Sequence, residues 1–144
     1  MPKSTATCNS ILALIFNATA WADIAEDDTT SPLGNLYVSL HTGDPGVGNN
    51  QTTNETAYTN YVRVAVARTT GGWDAPAAAA TANAALIQFA QCGVTGATLT
   101  HVAIGTASGG AGTVLYAGAL SSSLAVANGI QPQFAAGALD VTES

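Results

Sequence analysis

Glycine-marked turns at short and fairly even intervals constrain this chain more than any other feature of it. Gly71-Gly72, Gly93, Gly96, Gly109-Gly110, Gly112, Asn128-Gly129 and Gly137 cut the second half into pieces of strand length, too short for stable helices. Within the pieces the apolar period is close to two. Leu36-Tyr37-Val38-Ser39-Leu40 reads as a strand, and Thr42-Gly43-Asp44-Pro45-Gly46-Val47-Gly48-Asn49-Asn50 as a dense turn signal. In Tyr61-Val62-Arg63-Val64-Ala65-Val66-Ala67-Arg68 the alternation predicts Val62, Val64 and Val66 on a buried face and Arg63 on the opposite one. Pro76 turns the alanine run 77–80 toward an extended segment leading into 84–89, where Ala85, Ile87 and Phe89 share a face. Further strands are expected at 99–104, at 114–119, and as a C-terminal pair of 124–126 with 133–135.

One helix precedes them. Ile11, Leu14, Ile15, Ala18, Trp21 and Ala25 recur at helical spacing, which predicts a helix over 10–25 with Asn9 or Ser10 as its cap. Glu26-Asp27-Asp28 disfavours a helix C-terminus and Pro32 favours an extended backbone before it, so a loop follows. The expected fold is mainly β, a jelly-roll-like arrangement or β-sandwich with one N-terminal α-helix. Residues 1–30 would form the helical segment and 31–144 the β domain.

A chain of 144 residues suits one domain with a real core. That core must use small and β-branched side chains, because 47% of residues are apolar but only 6% aromatic. Charged residues make up 8%, against roughly a quarter in an average domain. So neutral a surface suits a subunit lying within an assembly. Three basic residues, Lys3, Arg63 and Arg68, face nine acidic ones, and a net charge of −6 argues against nucleic-acid binding. The apolar run at 11–16 is too short to span a bilayer, and with Lys3 alone before it reads as an amphipathic helix in place of an export signal. Neither a membrane nor a nucleic acid is an expected partner.

Chemistry-bearing patterns are weak. Cys8 and Cys92 have neither metal-ligand nor redox spacing and are expected as free thiols. His41 and His101 stand at strand ends and read as hydrogen-bonded ties between loop and sheet; no spacing with Ser39, Asp44 or Cys92 favours a catalytic set. The acidic cluster 26–28 lacks the alternating ligands of a calcium loop, and Gly105-Thr106-Ala107-Ser108-Gly109-Gly110 lacks the lysine and helix of a phosphate loop. No enzyme activity, metal or cofactor is expected. Arg63 and Arg68, in an acidic chain, read either as inter-subunit contacts with acids such as Asp44 and Glu55 or as intrachain pairs.

The central wording Leu40-His41-Thr42-Gly43-Asp44-Pro45-Gly46 after Leu36-Tyr37-Val38-Ser39, with Tyr61-Val62-Arg63-Val64-Ala65-Val66 downstream and Thr100-His101-Val102-Ala103-Ile104 further on, resembles a family of small structural proteins of tailed bacteriophages. Members carry tail-fibre, minor-tail or capsid-decoration labels. The resemblance implies a virion part without catalytic residues. The family commonly has alanine where this chain has Gly43.

A fibre normally has an elongated shaft or a separate receptor-binding tip, and this compact chain without repeats shows neither. The expectation is therefore a capsid decoration (cement) protein on the outer surface of the virion, trimeric, binding the major capsid protein and stabilising the shell by mass action. The helix residues Ile11, Leu14, Ile15, Phe16 and Trp21 could grip the shell or pack as a core helix. The alternative is a tail or fibre-base component in host attachment. A third reading is a carbohydrate-binding module using Tyr37, Tyr58, Tyr61, Trp73 and Tyr116.

Overall fold

A computed structural model describes residues 3–21, 33–46 and 50–144. The expectations for 22–32, including the end of the helix, the acidic cluster and Pro32, and for 47–49 in the turn, lie outside the described residues. The fold is mainly β and antiparallel with one N-terminal helix, as expected: α1 (Thr5–Asn17), then β1 (Asn35–His41), β2 (Val64–Ala67), β3 (Ala80–Ala82), β4 (Ile87–Gln88), β5 (Ala97–Gly105), β6 (Val114–Val126), β7 (Gln133–Phe134) and β8 (Asp140–Thr142). One sheet has the order β2-β1-β5-β6, and two-stranded ladders join β3 to β8 and β4 to β7.

Two compact units, interleaved along the chain, share these elements. One comprises Met1–Asn35, Val66–Ile87 and Phe134–Ser144, so that α1 groups with segments from the middle and end of the chain. The other comprises Leu36–Ala65 and Gln88–Gln133.

In the first unit, α1 starts earlier and stops sooner than its hydrophobic spacing predicts. Ser4 is the cap, its hydroxyl accepting the Thr7 amide at 3.2 Å. The helix ends where Ala18 enters the left-handed region at φ 50°, and the amides of Ala18 and Thr19 both turn back to the Ala13 carbonyl. Trp21 therefore lies beyond the helix. The buried stripe is Cys8, Leu12 and Phe16, one residue per turn, while Ile11, Leu14 and Ile15 are half-buried beside it. Phe16 packs edge-on against fully buried Trp73, with ring centroids 4.7 Å apart. β3 and β8 pair in the register Thr81↔Val141, with α1 against β3. Asn83, fully buried, donates to the carbonyls of Ala85 and Ala135 and accepts the amide of Leu139, which ties the C-terminal segment down.

In the second unit β1 and β5 pair in the register Val38↔Ile104 and His41↔His101, and β5 continues the ladder to β6. Leu36, Val38, Leu40, Leu99, Val102, Ala103 and Ile104 supply the buried side chains of these strands. Two expectations fail here. Residues 114–119 and 124–126 are one strand, β6, because β5 is long enough to pair with both ends while the extra residues between Ala119 and Leu124 are accommodated as an irregularity. Residues 124–126 accordingly pair with β5, and 133–134 with β4.

Candidate functional site

The segment that carried the family resemblance folds back over the end of β1. Thr42 donates its amide to the Asn54 carbonyl, and Thr56 donates to that of Leu40, which holds residues 54–56 beside the end of the strand. Asp44 caps the turn by accepting the Gly46 amide at 2.8 Å, and Pro45 is buried beneath it. His41, fully buried, holds the loop from inside. Its Nδ1 lies 2.9 Å from the Thr53 carbonyl, which can only accept; Nδ1 therefore carries the proton, and Nε2 accepts from the Ser39 hydroxyl at 2.9 Å. Burial pushes the His41 imidazole below its usual range, with the Thr53 bond opposing it. The expected tie between loop and sheet is thus present at His41. His101 opposes it across the ladder and bonds the Thr100 hydroxyl.

Gln51 is a second anchor, and nothing in its sequence neighbourhood announces it. Fully buried, it donates to the Tyr37 carbonyl and accepts the Ala107 amide. A Cβ at Gly105 would overlap its Cδ, and one at Gly112 would overlap its Oε1. Those two glycines are needed for the space that they leave to an amide.

The third anchor corrects the strand reading. The regular strand begins only at Val64, because Tyr61 closes a turn onto the Tyr58 carbonyl with Asn60 at φ 77°. The alternation is consequently out of phase at its start: Val62 is 61% exposed and Arg63 only 8%. Arg63 meets Glu55 in a two-pronged pair, Nε to Oε1 at 2.6 Å and a terminal nitrogen to Oε2 at 2.7 Å, and spends further donors on the carbonyls of Ala107 and Gly110. The pair joins loop 50–63 to turn 106–112. Tyr61 donates to Glu55 Oε1 and accepts the Leu40 amide; its phenol is raised far above the ordinary range, chiefly by burial. Tyr58 donates to the Ala90 carbonyl, and burial pushes it up to about 12. The bond to Glu55 raises the Arg63 guanidinium further above its already high value.

The residues proposed for inter-subunit polar contacts are therefore engaged within the chain. Arg63 and Glu55 bind each other, Asp44 caps its own turn, and Arg68 donates to the carbonyls of Ile15, Leu14 and Leu33, closing the C-terminal end of α1. Likewise Phe16 is core, and Cys8 and Cys92 are buried free thiols. An open groove of about 400 Å³ lies over the Glu55–Arg63 pair, lined also by Tyr58, Asn60, Tyr61 and Ser108. It offers no exposed aromatic platform for a sugar, since Tyr58 is buried and Tyr61 half-buried. Trp73 is buried too, and Tyr37 and Tyr116 are half-buried. Among the described residues no cluster of three or more His, Cys, Asp or Glu stands together, and no helix is long and apolar enough to cross a membrane.

This anchored loop, and nearly all the rest of the chain, falls within one family model. Residues 2–142 match the family described as podophage GP4 fiber I protein gp80. The chain belongs to that family. A comparison with curated proteins gives no match. Members of the fiber I family are phage structural proteins by that description, and the chain is accordingly a phage structural protein and a virion component. Within it, the conspicuous residues of the loop, His41, Gln51, Glu55 and Arg63, are all turned inward as fasteners.

Proposed function

We propose that the protein is a structural subunit of the podophage tail-fibre apparatus, with a part in host attachment. The observation that carries this reading is the match of residues 2–142 to a family named for a fibre. The fibre description favours the alternative weighed at the outset over a capsid decoration protein, and the corresponding partners are other tail proteins in place of the major capsid protein. The inward-facing side chains support a scaffolding role. A subunit that holds shape in an assembly needs loops fixed by internal bonds, and here an imidazole, an amide and a guanidinium fix one loop from three sides. The reading is tested by counting copies in purified virions, by quantitative mass spectrometry against the major capsid protein, together with immunogold labelling. A few tens of copies or fewer with label at the tail is the expected result. Copies comparable to the capsid protein, with label over the head, would return the chain to the shell.

A further inference from the structure

The groove over the Glu55–Arg63 pair gathers polar groups that the chain itself leaves unused. Thr56, on its wall, is 4% exposed, yet among the described residues its hydroxyl meets no hydrogen-bond partner. The amide of Tyr58, a residue 2% exposed, donates to no carbonyl there either, and neither do those of Ala57 and Val62 on the open part of the same wall. Buried donors without acceptors are rare in a finished fold. One hydroxyl and three amides without acceptors, all lining one groove, point to an occupant rich in acceptors. Their neighbours are in a different state: Arg63, Glu55 and the hydroxyls of Tyr58 and Tyr61 are all engaged inside the chain.

We infer that this groove seats an extended, uncharged segment of another virion protein, whose main-chain carbonyls accept from these donors. The donors select a polypeptide. An extended main chain offers a carbonyl at every residue, with a rise of about 3.3 Å, so one short segment can serve a wall that runs through residues 57, 58 and 62. A sugar would find no open ring to stack on, because Tyr58 is buried and Tyr61 half-buried. Charge selects the composition. Glu55 and Arg63 neutralise one another and no other charged side chain lines the groove, so a charged segment would give up hydration without meeting a counter-charge. Val62, 61% exposed, adds an apolar contact on the wall. The opposite side, Ser108 and Gly109, belongs to a turn that Arg63 already holds by the carbonyls of Ala107 and Gly110, so the trough is set before anything enters it. That the partner is a tail protein rests on the tail-fibre reading; that it is a polypeptide rests on the groove.

Photocrosslinking in assembled virions tests the site and its occupant together. The full chain is supplied during infection with p-benzoylphenylalanine in place of Val62, or in place of Ser108 on the opposite wall, and the purified particles are irradiated. Both probes should link to the same segment of another virion protein, read by mass spectrometry, and that segment should be free of Lys, Arg, Asp and Glu. A probe in place of Val94, 88% exposed but outside the groove, should not reach it. Adding Thr56→Val should lower the yield from position 62 several-fold while leaving the melting temperature of the purified chain unchanged. Links to a tail protein uphold both readings, whereas links to a segment of the major capsid protein uphold the groove and overturn the tail-fibre reading. The inference itself is overturned by links only to a second copy of this chain, by no link from either wall, by an equal link from position 94, or by a Thr56→Val chain that melts several degrees lower, which would reveal an internal partner for the hydroxyl.

Discussion

Arg63 shows how one side chain sets the character of a loop. Its guanidinium is buried, so the carboxylate of Glu55 does not so much add a surface attraction as cancel the cost of a charge taken out of water. Removing the carboxylate alone should therefore be expensive. Glu55→Ala strands the guanidinium and frees the Tyr61 hydroxyl at once, and a loss of about 3–5 kcal/mol is expected in urea unfolding. Replacing both partners with apolar residues of similar volume, as in Glu55→Leu with Arg63→Met, should recover a large part of it. If the single variant costs no more than an exposed pair does, about 1 kcal/mol or less, the account of Arg63 as a buried fastener is wrong.

Among the elements, the turn between Trp73 and β3 is the least expected. Ala77 and Ala80 exchange reciprocal backbone bonds across Ala78 and Ala79, whose φ values of 52° and 62° lie in the left-handed region. That is the backbone of a tight hairpin turn normally given to Asn-Gly. Here alanines hold it, and the turn is fixed from outside: Asn9 of α1 accepts the Ala79 amide at 2.7 Å, and Glu143 donates its amide to the Ala79 carbonyl. Ala79→Gly should relieve about 1 kcal/mol of strain and raise the melting temperature. A lower melting temperature would mean that the alanine methyl contributes more than its backbone costs.

The same turn marks where sequence stops being legible. Strand and turn positions such as β1, β5 and the 42–46 turn could be read because period-two burial and the Asp-Pro-Gly chemistry are local signals. The Ala78-Ala79 turn carries no local signal at all, since its conformation is imposed by Asn9 and residue 143. Helix α1 was found but displaced, because its cap depends on a serine ahead of two weakly helix-forming threonines, and its buried row begins at a cysteine. Of the loop anchors, His41 was legible from its place at a strand end. Gln51 was not, for a glutamine in a polar run looks solvated until two distant glycines are seen to make room for it.

At the scale of the whole molecule, His41 gives the fold a pH limit. Its imidazole binds a proton less readily when folded than when unfolded, so the unfolded chain takes up more protons just below the unfolded value of about 6.5. Folding stability should then be greatest above that pH and fall as pH decreases through the window below it, before the carboxylates begin to titrate near about 4. A melting series from pH 7.5 to about 4.5 should show this slope in the wild type and a flatter one in His41→Gln. Equal slopes would assign the acid sensitivity to other groups.

The cations of the chain, finally, are all spoken for. Arg63 and Arg68 are spent on carbonyls and one carboxylate, and Lys3 is paired with Glu143 at 2.7 Å. Toward its surroundings the protein therefore presents hydroxyls, amides and carboxylates but no unengaged Lys or Arg side chain. Adhesion by exchange of counterions would fade as ionic strength rises, and this surface is not equipped for it. An assembly built from it should drift past polyanionic debris without sticking, and whatever grip the chain contributes should hold as well in brine as in fresh water.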